Sequence, residues 1–151
     1  MSLIEKENID FGKLLSKHGL SNTFFRRQLI ELFYNTHHSL SVDDVLNSLN
    51  FLNYSINTVS VYRALDSFEK NGLIHKVPGN KNVIKYALCR NECNTEKHIH
   101  NHPHLLCSNC KETYCLHDFK VPKINTYKGF EIKNFKIIIE GHCIDCKQSN
   151  H

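Results

Sequence analysis

The stretch Thr58-Val59-Ser60-Val61-Tyr62-Arg63-Ala64-Leu65-Asp66-Ser67-Phe68-Glu69-Lys70-Asn71-Gly72 decides how the N-terminal half of the chain folds. Val61, Leu65 and Phe68 recur at helical spacing, Asn57 stands where a cap belongs, and Gly72 suits the left-handed residue after a helix. Two β-like runs follow, 73–77 and 83–88, joined by the turn Pro78-Gly79-Asn80-Lys81. Working back from this unit, Ser41-Val42-Asp43-Asp44 has the form of a capping box and opens a helix carrying Val45, Leu46, Leu49 and Leu52. Before it, Thr23 or Asn22 can cap a helix bearing Phe25, Leu29, Ile30, Leu32 and Phe33. A sparse stripe of Ile9, Leu14 and Leu15 ends at Gly19. Helices followed by a hairpin is the order of a winged helix-turn-helix. A small α+β core with no DNA role has the same pattern, and periodicity alone leaves it open.

The 151 residues suffice for one ordinary domain or two small ones, with 40% apolar and 23% charged residues. The opening residues lack the pattern of a signal peptide, and no apolar run reaches the ~20 residues of a membrane span. We therefore expect a soluble, cytoplasmic protein with no membrane partner. In a reducing compartment, seven cysteines read as metal ligands before they read as disulfides. The net charge of +4 is compatible with nucleic acid without proving it. Eleven histidines are the stronger anomaly.

After Leu88 the composition changes. Cys107-Ser108-Asn109-Cys110 and Cys143-Ile144-Asp145-Cys146 are two x₂-spaced pairs with 32 residues between them. Four thiolates so arranged can close a tetrahedron around a structural Zn²⁺, with a small sheet clipped between the knuckles. Runs 105–107, 113–116 and 135–140 read as its strands, and a helical turn or two fits after Pro122. His98, His100, His102 and His104 alternate toward the first pair, and Pro103 favours extended backbone at His102. With Cys89 and Cys93 nearby, they suggest a second site for a thiolate- and imidazole-loving metal; a solvated histidine loop is the plainer reading. Cys115 reads as a small core residue, and His117, His142 and His151 as surface or packing residues.

These features together resemble the ferric uptake regulator family of metal-sensing transcription factors, over nearly the whole chain. The resemblance rests on 58–65 leading to Gly72-Leu73-Ile74, on His102-Pro103-His104-Leu105-Leu106-Cys107-Ser108-Asn109-Cys110, and on Gly141-His142-Cys143-Ile144-Asp145-Cys146. It implies an α+β chain divided into a winged-helix domain (1–88), a hinge and metal-binding loop (89–103) and an α/β dimerisation domain (104–151). It implies structural zinc at Cys107, Cys110, Cys143 and Cys146. It also implies a regulatory Zn²⁺ or Fe²⁺ site at His75, Cys89, His102 and His104, with Cys93 and His100 as alternates brought in by an insertion at 90–98. A Cys at position 89 resembles the zinc-sensing branch; iron sensors typically place a carboxylate nearby. Where the family often has a third site, this chain carries Asn101, Pro103 and Phe135, so that site is expected to be absent.

The implied function is a metal-dependent repressor, with no enzymatic role, that binds a palindromic DNA operator as a homodimer. Arg26, Arg27 and Arg63 are candidates for phosphate contacts, and Thr58, Ser60 and Tyr62 for base edges. Each arginine reads equally as a solvated charge, and Tyr62 as core-facing. Lys76, Lys81 and Lys85 could touch the flanking backbone from the wing. An iron- or peroxide-sensing regulator is the alternative within this fold. A zinc hydrolase or deaminase needs a general-base Glu beside an open site, as in His-x-Glu with Pro-Cys-x₂-Cys, and the sequence has no such arrangement.

Overall fold

The computed structural model describes residues 9–52, 55–77, 83–89, 102–116, 118–119, 121–122, 124–133 and 136–148. The turn at 78–82 and the insertion with Cys93, His98 and His100 lie outside the described residues, as do Asn101, His117, Phe135 and His151.

Helix α1, Phe11–Lys17, is capped by Asp10, whose carboxylate accepts from the Lys13 N–H, and the chain leaves it through Gly19 at φ +68°. Helix α2, Phe24–Asn35, begins at Thr23, whose hydroxyl accepts from the Arg26 N–H. A two-residue strand β1, Leu40–Ser41, was not expected from the sequence; it runs directly into α3, Val42–Phe51. Both halves of the capping box form there. Asp44 N donates to Ser41 Oγ at 3.1 Å, and Ser41 N donates back to Asp44 Oδ2 at 2.8 Å. Helix α4, Thr58–Lys70, is capped by Asn57, and Gly72 follows at φ +71°. Strands β2, Ile74–Val77, and β3, Lys85–Leu88, pair antiparallel, and β1 adds to β3, giving the order β1-β3-β2. Leu15, Leu29, Ile30, Phe33, Val45, Leu49, Val61, Leu65, Phe68 and Ile74 close one core among these elements. This is a winged helix.

The second half is a thin sheet. Strand β4, His104–Cys107, lies between antiparallel β5, Thr113–Cys115, and parallel β8, Ile138–Gly141. A parallel neighbour requires a long crossover. Inside that crossover, β6, Thr126–Tyr127, and β7, Phe130–Glu131, form a hairpin, with Lys128 and Gly129 both at positive φ in its two-residue turn. The helical turn expected after Pro122 is absent among the described residues; the hairpin stands in its place. Strand β8 also starts later than expected, at Ile138. A short helix α5, Ile144–Gln148, ends the described chain.

The halves meet along one seam. Ser39 N donates to Thr113 O at 2.9 Å, and Lys85 Nζ donates to Glu112 Oε2 at 2.9 Å, with His38 Nδ1 3.2 Å from the same oxygen. Lys85 is thus turned to the sheet and almost covered, which corrects its expected place on a DNA-facing wing. Lys76 pairs with Glu69 at 3.1 Å, and Lys81 lies outside the described residues.

Burial acts to raise the Asp44 carboxyl, but the Ser41 hydroxyl and backbone N–H overcome it and hold the group below its ordinary value. A depressed carboxyl contributes stability above the unfolded value near ~3.9, lost as pH falls through the folded value. Ser41→Ala should therefore cost about 1 kcal/mol in urea unfolding at pH 7, and clearly less at pH 3. Equal losses at both pH values would contradict this account of the cap.

Candidate functional site

The four-thiolate centre is built by strand register. Cys107 ends β4 directly opposite Gly141 of parallel β8, so the residues after each strand emerge side by side. On one side the chain turns at 108–110, with Lys111 N donating to Cys107 O at 3.0 Å and Lys111 at φ +63°. On the other, Cys143 precedes α5 and Cys146 sits in its first turn. Ser108 N donates to Gly141 O at 2.7 Å and ties the two knuckles together. The four sulfurs lie within 4.8 Å of one another, and Cys110 and Cys143 are 3.8 Å apart. A tetrahedral ion with zinc–sulfur bonds near ~2.3 Å separates its ligand sulfurs by roughly 3.8 Å. The donor set fits.

The protons tell the same story. The Cys143 N–H, 3.4 Å from the Cys107 sulfur, and then the Cys110 N–H lower the Cys107 thiol to about 5. Cys110 goes the other way, to about 12. The Glu112 N–H pulls it down, but burial and the neighbouring thiols of Cys107, Cys146 and Cys143 outweigh that pull. Cys146 is also raised, chiefly by Cys143. One thiolate can form among four neighbours, and further ionisation meets repulsion that a divalent cation would remove.

A second cluster occupies the seam between the sheets. His75 comes from β2, buried; His104 begins β4 and His102 lies two residues before it; Cys115 lies opposite His104 on β5. The donor atoms of these four residues all lie within 4.8 Å of one another. The His75 and His102 rings are 5.1 Å apart by centroid, and those of His102 and His104 are 4.9 Å apart. The Cys115 sulfur is 3.5 Å from His75 Nε2, and the Cys89 sulfur is 3.3 Å from His75 Nδ1. Three of the four residues expected from the resemblance, His75, His102 and His104, are brought together, while Cys89 lies against the other nitrogen of His75 and outside that group. Cys115, read from sequence as a core residue, joins the cluster instead. The available signal was the register: a strand pairing antiparallel to β4 must place some residue opposite His104. Imidazole and thiol donors suit zinc better than oxygen-preferring cations.

Helix α4 buries Val61, Ala64, Leu65 and Phe68 and presents Thr58, Val59, Ser60, Tyr62 and Arg63 to solvent. Tyr62 is 55% exposed, which overturns the core-facing alternative. Arg63 shares a shallow groove with half-buried Arg26, whose guanidinium donates to the carbonyl and hydroxyl of Ser21; Arg27 is exposed. His142 lies on the surface, as expected.

Metal analysis after mild chelation at pH 7 should leave about one tightly held zinc per chain, lost in Cys143→Ser. Because the ligands must shed protons, retention should fall as pH is lowered toward 5. Finding no zinc in the unaltered protein at pH 7 would remove the structural centre.

The model of the ferric uptake regulator family matches residues 17–140. The ferric uptake regulation protein of Escherichia coli (strain K12) is 26% identical, covering 94% of this chain and 95% of its own. The ferric uptake regulator of Francisella tularensis, solved with iron, superposes with a TM-score of 0.63 at 26% identity, over 85% of this chain and 96% of its own. A zinc uptake regulator solved with zinc and DNA shares the fold, with a TM-score of 0.61 at 22% identity over 91% of each chain. The chain belongs to the ferric uptake regulator family of metal-responsive, DNA-binding regulators.

Proposed function

We propose that this chain is a zinc-responsive repressor that binds a palindromic operator as a homodimer. Its division is taken as a winged-helix domain at 1–88, a hinge at 89–103 and a dimerisation domain at 104–151. The observation that carries the reading is the position of the second cluster. His75 belongs to the wing sheet, His104 and Cys115 belong to the C-terminal sheet, and His102 lies two residues before that sheet, in the hinge. A bound zinc ion would supply cross-sheet bonds that hold the DNA-binding arrangement, and it can act only through tighter binding to that arrangement.

The exposed face of α4 supports the DNA role. Tyr62 and the Thr58 methyl can pack against thymine methyls, Ser60 can reach a base edge, and Arg63, Arg26 and Arg27 can neutralise phosphates. Exposed apolar residues support a second copy. Every residue of the edge strand β8 is exposed, and Phe119, Ile124, Tyr127, Phe130 and Ile144 in the same half are exposed as well. Thiol and imidazole donors favour zinc, whereas the likeness to ferric uptake proteins favours iron. Cys110, Cys107, Cys143 and Cys146 serve as the fixed clip in either case.

The test is binding to DNA selected from a random pool by the zinc-loaded protein. His102→Ala combined with His104→Ala should retain the four-thiolate zinc and lose most of the zinc-dependent gain in affinity. Full zinc-dependent binding by this double variant would contradict the assigned sensor, and a gain produced by Fe²⁺ but not Zn²⁺ would replace zinc with iron.

A further inference from the structure

The crossover from β5 to β8 leaves two apolar surfaces bare. The first is a face of the C-terminal sheet. Leu105 of β4 pairs with Tyr114 of β5 on one side and with Ile139 of β8 on the other. Side chains paired across strands share a face, so these three point away from the face that carries His104 and Cys115. They floor an open groove of about 880 Å³, which His37, His38 and Ile144 also line. Leu105, Ile139 and Ile144 are all exposed in it.

The second surface is the hairpin of β6 and β7. Tyr127 pairs with Phe130 and Thr126 with Glu131, so the two rings share one face, and the threonine and carboxylate share the other. Tyr127 is 63% exposed and Phe130 75%. Among the described residues the two strands pair only with each other, and every residue in them is exposed. A lone two-stranded hairpin is marginal at best in water, so this one needs a surface to rest on. Charge selects that surface. Lys128 stands in the turn beside the aromatic face, its Nζ 5.5 Å from the centre of the Tyr127 ring. Two acids, Glu140 and Asp145, line the groove.

We propose that the hairpin of one copy seats Tyr127 and Phe130 in the groove of a second copy and receives the second copy's hairpin in return. This rests on the homodimer reading above and names the surfaces that form the dimer. Each chain offers one hairpin and one groove, so a reciprocal exchange about a two-fold axis closes at two copies. Within one chain both surfaces stand open, so the hairpin does not cover its own groove. On docking, Lys128 enters toward Glu140 and Asp145, while Thr126 and Glu131 keep their face in water. Ile139 belongs both to the groove and to the exposed strand β8, which makes the exchange continuous with the edge assigned to the second copy.

The experiment follows zinc-loaded, full-length protein by analytical ultracentrifugation over a dilution series. Phe130→Asp disables the hairpin and Leu105→Glu disables the groove, with metal analysis checking that each keeps its four-thiolate zinc. Either substitution occurs twice in a two-fold interface, so each variant alone should dimerise about 100-fold or more weakly than the unaltered chain. Mixing the two restores one intact exchange, the hairpin of Leu105→Glu in the groove of Phe130→Asp. The mixture should therefore associate at concentrations where neither variant does alone. Should Leu105→Glu shed its zinc, Ile139→Glu serves as the groove variant. Unaltered dimerisation of either variant overturns the proposal, and so does a mixture that associates no better than its components. A monomer at every concentration in the unaltered protein overturns the homodimer reading itself, and this inference with it.

Discussion

One four-residue strand contributes to both clusters of candidate metal ligands. His104 begins β4 and belongs to the seam cluster; Cys107 ends it and belongs to the four-thiolate set. At ~3.3 Å of rise per residue, the two residues are roughly 10 Å apart along one rigid rod. The neighbouring strands complete each end by register. Antiparallel β5 sets Cys115 opposite His104, and Cys107 N donates to Glu112 O at 2.9 Å. Parallel β8 sets Gly141 opposite Cys107 and so delivers Cys143 and Cys146. A slip of one residue would turn His104 to the other face and dismantle both centres together.

Little apolar burial maintains that register. The main cluster of buried hydrophobic residues runs from Leu15 to Tyr86, whereas the described part of the C-terminal sheet buries only Cys107 among its apolar residues, with Pro103, His104 and Thr113. A sheet this thin cannot rest on a core of its own, and small units of this kind use metals or association instead. The thiolate clip at one end and a second copy over the exposed β8 face, as proposed, together account for the order of this half. The winged helix needs neither. Its core is closed by its own helices and strands.

The N-terminal elements were legible because each carried a local signal. Caps at Thr23, Ser41 and Asn57 and the glycines at 19 and 72 lie where the chemistry of helix ends requires them. The meeting of the four cysteines was legible from spacing alone. What escaped was either too short or non-local. β1, β6 and β7 have two residues each, fewer than any periodicity can display, and the Lys128-Gly129 turn lacks the usual asparagine or aspartate. Lys85 looked like a wing cation because nothing near it in sequence announces Glu112, 27 residues on. The place of Cys115 escaped for the same reason: its company with His75 and His104 depends on strand pairing, which only the fold decides.

In the proposed function, metal at the seam cluster locks the winged helix to the C-terminal sheet. The backbone bond from Ser39 N–H to Thr113 O crosses that seam and reports on it directly. Hydrogen exchange at the Ser39 amide, followed by NMR in protein already holding one zinc per chain, should slow markedly on adding a second equivalent of Zn²⁺. It should not slow in His104→Ala. Stoichiometric binding of the second zinc with Ser39 exchange unchanged would contradict the claim.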